Sequence, residues 1–191
     1  MDKVPLIRTF IALETPPAIR ASISEVLTAL READAEVRWE APEKFHVTVK
    51  FLGDVDERKL PTIIAKIEQT VSTISPFEMA YSEIGMFPDR QHPRIIWIGC
   101  QNPDRRLSRL KNVLDSSLEP LGFRVEARAF HPHITVGRIT GEKGKKDLLS
   151  ILENLTFEPR STMVEEVVVM KSMLKPHGSE YSRLISVPLN T

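Results

Sequence analysis

The sequence predicts an α+β fold that is bilobal and pseudo-duplicated. Each of the two lobes is rich in antiparallel sheet and carries its helices outside. Three observations predict it. Strand-like runs alternate with amphipathic helical stretches, yet some come in hairpin-like pairs, as at 77–84 with 94–99. No Gly-rich phosphate loop joins a strand to a helix. Two runs, FHVTVKF at 45–51 and FHPHITVGR at 130–138, repeat one His-x-Thr-x pattern 133 − 46 = 87 residues apart, nearly half of the 191-residue chain.

The elements follow in order. Residues 5–13 read as a strand, and Thr15-Pro16-Pro17 opens a helix, since Thr caps and Pro fits the first turn. That helix, 16–33, carries Ile19, Ile23, Val26, Leu27 and Leu30 at three-to-four spacing, an amphipathic face. A short strand at 36–39 precedes the first motif strand, 45–52, which Gly53-Asp54 ends. A second helix covers 56–73, with Leu60, Ile63, Ile64, Ile67 and Val71 on one side. Strands near 77–84 and 94–99 bracket a loop from Met86 to Pro93. A third helix, 103–120, stops at Gly122, and the second motif strand spans 129–138. The basic loop at 141–146 leads to a short helix ending at Asn154, and strands near 162–173 and 180–188 finish the chain. Identity between the halves is confined to the motif, and no interdomain linker is evident, so residues 1–191 read as one domain of two lobes.

Composition narrows the function. Apolar residues make up 41% and charged residues 27%, ordinary for a globular protein, and 26 basic residues balance 26 acidic ones. Extensive binding to duplex nucleic acid needs a basic excess, so a short RNA end or small nucleotide fits better. Cys100 is the single cysteine, so no intrachain disulfide forms; it follows an apolar run and reads as a buried, inert thiol. The opening MDKVPLIRTFIAL is too short in apolar residues for a signal peptide, and nothing approaches the ~18 apolar residues of a membrane span. A cytoplasmic monomer is the expectation.

The motifs carry the chemistry. Side chains two apart on a strand share a face, so His46 projects with Thr48 and His133 with Thr135, while Val47, Val49, Phe51, Ile134 and Val136 turn to a core. Facing each other, the strands give two imidazoles and two hydroxyls in one pocket: an acid–base site for a small anion that needs no metal. Imidazole titrates near 6.5, which suits one neutral and one protonated ring near pH 7. The threonine hydroxyls can donate to the oxygens of that anion.

These residues identify a resemblance. The chain is similar to the 2H phosphoesterase superfamily, most of all its RNA 2′,3′-cyclic phosphodiesterase branch, also called 2′-5′ RNA ligases. It is carried by LIRTFIALETPPAIR, VRWEAPEKFHVTVKFLGDV, RIIWIG, FHPHITVGR and YSRLISVPL, nearly the full length, with all four motif positions kept. The resemblance implies a bilobal sheet pair with a central cleft, hydrolysis of the cyclic phosphate to a 2′-phosphomonoester, His46 as proton donor and His133 as proton acceptor. It implies no cofactor, RNA ends or cyclic nucleotides as partners, and reversible 2′-5′ ligation as a side activity. A different class, a nucleotide-binding module without turnover, would use the same cleft; against it, a pure binder needs no proton donor and acceptor.

Further candidates have two readings each. Lys50, on the His46 face by period, either meets phosphate or is a solvated lysine at a strand end. Arg138 follows Gly137, which can bulge the strand and re-aim the arginine toward phosphate, as the resemblance also implies. Phe130 and Trp97 either stack a base or lie in the core. His131 and His133 invite a zinc reading, but zinc needs a further cluster of ligands and only Cys100 and scattered acids remain, so no metal is expected. His92 and His177 fall in Pro-containing loops and read as solvent-exposed.

Overall fold

The LIRTFIALE run is apolar at every position from Phe10 to Leu13 and buried at every position from Thr9 to Leu13, the pattern of a strand covered on both faces. In the computed structural model, which describes residues 5–176 and 178–190, this run is β1 (Leu6–Glu14), an inner strand between two others. His177 lies outside the described residues. The chain continues as α1 (Pro17–Arg31), β2 (Val37–Trp39), β3 (His46–Asp56), α2 (Leu60–Val71), β4 (Phe77–Phe87) and β5 (Ile95–Gln101). It ends as α3 (Arg106–Leu118), β6 (His133–Ile139), α4 (Lys145–Asn154), β7 (Arg160–Val164), β8 (Glu166–Lys175) and β9 (Gly178–Pro188).

Two sheets form, ordered β3-β1-β8-β9 and β2-β6-β5-β4-β7, and every neighbouring pair is antiparallel. Each holds one motif strand, β3 or β6, and these two approach one another. The halves are interleaved: β8 and β9 complete the first sheet, and β2, β4 and β5 build most of the second. One continuous core takes Ile11, Leu13, Val47 and Val49 from the first sheet and Ile96, Ile98, Ile134 and Val136 from the second. Ile19, Ile23, Leu27 and Leu30 of α1 and Leu107, Leu110, Leu114 and Leu118 of α3 pack into the same core. A second, small cluster of Phe10, Ala12, Val168 and Met170, with Tyr181 against it, lies on the other face of the first sheet.

Several boundaries differ from the sequence reading, each for a local reason. Pro16 occupies the position before α1, and Thr15 makes no capping hydrogen bond. The second helix begins as a 3-10 turn, Glu57–Lys59, capped by Asp56 accepting from the Arg58 N–H at 2.9 Å. β6 starts only at His133, because Pro132 has no N–H to give the ladder. The strand expected over 162–173 is two strands in different sheets, parted at Glu165. Only the adjacent acids Glu165 and Glu166 interrupt the apolar run there, and two solvated acids do not by themselves signal a change of sheet.

Candidate active site

Both motif strands carry a bulge at the same place. In the first, Ala12 pairs with Thr48 and Ile11 with Lys50, leaving Val49 unpaired. In the second, Trp97 pairs with Thr135 and Ile96 with Gly137, leaving Val136 unpaired. The duplication therefore extends past the visible motif: His-x-Thr, then one extra residue that turns the strand over. His46 and Thr48 share a half-buried face, as do His133 and Thr135.

The bulge corrects the reading of Lys50. Its side chain follows Ile11 into the core, is 1% exposed, and reaches Asp115 of α3 at 2.5 Å and the Arg124 carbonyl at 2.9 Å. Lys111 pairs with the same carboxylate. Lys50 is neither at the cleft nor solvated; it ties the motif strand to α3. Phe51, expected in the core, moves to the cleft face instead, 62% exposed, with its ring 6.2 Å from Phe10. Arg138 stands where Phe51 stands in the first copy, two past the threonine and one bulge.

Each imidazole is seated in the same way. His46 Nδ1 is 2.6 Å from the Lys44 carbonyl, and His133 Nδ1 is 2.7 Å from the His131 carbonyl. A carbonyl only accepts, so Nδ1 carries a proton in both rings, which leaves Nε2 as the atom that can take or give one. Each ring also meets an aromatic edge-on: Tyr181 against His46 at 5.0 Å and 83°, Phe87 against His133 at 5.0 Å and 83°. Phe10 covers His46 further, at 4.9 Å.

Burial against these rings pushes both imidazoles below their ordinary value. For His46 the Lys44 carbonyl, Glu40 and Glu14 oppose that fall, while His133 adds to it, so the two histidines lie within electrostatic reach. For His133 the His131 carbonyl opposes it, and His131 and Arg138 add to it. The surroundings thus differ in sign: carboxylates beside His46, the Arg138 guanidinium beside His133. Glu14, opposite His46 in the ladder, is ion-paired with Arg183 at 2.5 Å, and Glu40 with Arg138 at 3.5 Å.

Trp97 is buried, with its ring over Gly85 and 4.8 Å from His131 and 5.1 Å from Phe87, so it supports the His133 side and offers no open face for a base. Phe130 is half-buried against the main core. His131 and His92 are exposed. Cys100 is buried, which pushes its thiol far above the ordinary range. Among the described residues no three His, Cys, Asp or Glu side chains converge as a metal site requires, and no helix is long and apolar enough to cross a membrane. Phe10, Phe51, Phe87, Tyr181, Glu14, Glu40 and Arg183 escaped the sequence reading, because each belongs to the site through a partner distant in the chain. The opening and closing runs that hold Phe10 and Tyr181 were the available signal.

With this geometry, comparison with known proteins is specific. The family model described as LigT like phosphoesterase matches residues 13–97 and again 98–181, one copy for each motif. The RNA 2′,3′-cyclic phosphodiesterase of Methanothermobacter thermautotrophicus is 36% identical over 92% of this chain and 95% of its own length. That of Thermotoga maritima is 32% identical over 93% and 92%. A crystal structure of a Thermus thermophilus protein superposes with a TM-score of 0.80 at 25% identity, covering 96% of this chain and 98% of its own. Escherichia coli LigT gives 0.77 at 25% identity over 98% and 99%, and it has also been solved with 3′-AMP. Two family repeats, two bulged motif strands and near full-length relatives converge, and the chain belongs to the LigT-like phosphoesterase family.

Proposed function

We propose that this enzyme opens 2′,3′-cyclic phosphodiesters at RNA ends or in nucleotides, giving a 2′-phosphomonoester by two-histidine acid–base catalysis without a metal. The observation that carries the reading is the matched pair of imidazoles, each with Nδ1 held by a main-chain carbonyl and Nε2 left to take or give a proton. The relatives named as RNA 2′,3′-cyclic phosphodiesterases support the substrate class.

In this mechanism His133 Nε2 takes the proton of the attacking water, a P–O bond forms to that oxygen, and the bond from phosphorus to O3′ breaks. His46, protonated, gives its Nε2 proton to O3′. The local charges support these roles: Glu40 and Glu14 favour an imidazolium at His46, whereas Arg138 and His131 disfavour one at His133. The incoming phosphate anion further favours the protonated donor. Thr48, Thr135 and Arg138 hold the non-bridging oxygens, and the exposed Phe51 beside Phe10 offers the terminal base an apolar surface. With a 5′-hydroxyl in place of water as the nucleophile, the same two proton transfers form a P–O5′ bond, break the bond from phosphorus to O3′ and leave a 2′-5′ diester with a free 3′-hydroxyl, the basis for ligation as a minor activity.

Phosphorus NMR of a 2′,3′-cyclic mononucleotide and a cyclic-ended oligonucleotide in EDTA tests the reading. A 2′-phosphate as sole product is expected. A 3′-phosphate would overturn the assignment of the leaving oxygen, dependence on added metal would overturn the metal-free mechanism, and no turnover by folded protein would leave a binding module.

A further inference from the structure

Between the two motif strands lies a carboxylate that neither motif contains. Glu40 is where the chain leaves β2 in one sheet on its way to β3 in the other. Its N–H donates to the carbonyl of Val136, the bulge residue of β6, at 2.9 Å, so its main chain is fixed to the second motif. Its side chain, 18% exposed, lies 3.5 Å from Arg138 Nε on that motif, and its charge is felt by His46 on the first. The duplication has no matching carboxylate, since the residue six before His133 is Ala127.

The other charges around His46 do not duplicate this role. Glu14 of β1 is held by Arg183 of β9, and His133 of β6 faces His46 as a fellow base. Phe10 of β1 and Tyr181 of β9 contribute rings. Glu40 grips Arg138 through Nε, which leaves the outer edge of the guanidinium for phosphate oxygens.

We propose that Glu40 is the positioning residue that makes a duplicated site asymmetric. It orients Arg138 toward the substrate phosphate and stabilises the imidazolium of His46, so that His46 gives the proton and His133 takes it. This rests on reading the site as a cyclic phosphodiesterase. Because Glu40 also repels the substrate anion, its removal takes away a repulsion along with an alignment, so KM changes little while kcat falls.

The test compares wild type with Glu40→Gln and Glu40→Asp in two measurements. The first is an NMR titration of the imidazoles in substrate-free protein. In Glu40→Gln the titration of His46 moves to lower pH and that of His133 moves less. The second is kcat and KM for a 2′,3′-cyclic mononucleotide from pH 5 to 8.5. For Glu40→Gln the basic limb of the kcat profile shifts to lower pH, kcat at pH 7.5 drops about tenfold, and Glu40→Asp recovers part of it. Superimposable His46 titrations, or an unshifted kcat profile with a raised KM, would overturn the proposal. Absence of turnover by wild type would instead count against the phosphodiesterase reading, and the titration would still decide the role of Glu40.

Discussion

Aromatic neighbours exclude water from both His46 and His133, which disfavours the charged form of each ring. Folding lowers both imidazoles from the ordinary 6.5, so the unfolded chain takes up more protons as pH falls. Their contribution to stability is complete above about pH 6.5 and is lost as pH drops through the folded values. The same shifts bear on the proposed catalysis. The proposed mechanism needs one proton between two depressed groups, so kcat/KM should peak below pH 6.5. Bound phosphate raises the donor, so the basic limb of kcat should lie at higher pH than that of kcat/KM. Rate profiles on a cyclic mononucleotide check both; a kcat/KM maximum above pH 7.5 would contradict the depressed pair. Lys50 gives a second residue-scale prediction. Two buried ammonium groups share Asp115, whose carboxyl is pushed up by burial but held below its ordinary value overall by Lys111 and Lys50. Asp115→Asn strands both cations and should cost about 3–5 kcal/mol, whereas Lys50→Met leaves one matched pair and should cost less. Denaturant unfolding measures this, and an unchanged KM in Lys50→Met would confirm that Lys50 does not meet substrate.

Among the elements, the two bulged strands explain what the sequence could and could not reveal. His46, Thr48, His133 and Thr135 were legible because alternation holds across those three residues in each strand. It fails at the next residue, since a bulge leaves no mark on composition: Val49 looks like any strand valine, and Lys50 and Phe51 then exchange faces. The helices were legible from their apolar spacing, but the division of 162–173 between β7 and β8 was not, because Val164 and Val167 are buried in one core whichever sheet holds them. The support of His133 was equally silent. A Cβ at Gly85 would fall 2.1 Å from the Trp97 ring, so Trp97 lies flat on β4 only because position 85 is glycine. Gly85→Ala should push the indole toward Phe87 and His131, cost about 1–3 kcal/mol by overpacking, and lower kcat more than it alters KM. Thermal melts and steady-state rates together check this; a variant of wild-type stability and kcat would show that the packing can absorb the methyl group.

For the molecule as a whole, repetition and interleaving pull in opposite directions. The family matches each half separately, which suggests two units. Yet β1 pairs with β8 from the far end of the chain, and the second motif strand is flanked by β2 and β5 from the first part. Neither half can complete a sheet, so a fragment ending at residue 101 should show no cooperative unfolding, while the full chain melts in one transition by calorimetry. Two separable transitions would mean the lobes fold alone. Interleaving also brings the two motif strands together and lets their surroundings diverge, with carboxylates near His46 and the Arg138 guanidinium near His133. The central claim is that the two histidines act as one acid–base unit. Its most direct test is the rate of cyclic-nucleotide opening by His46→Ala, His133→Ala and the double variant, each confirmed folded. Groups acting in one step are non-additive, so each single change should cost about 10²-fold or more, and the double little beyond either. Retention of near wild-type turnover by either single variant, or losses that multiply in the double, would contradict the account.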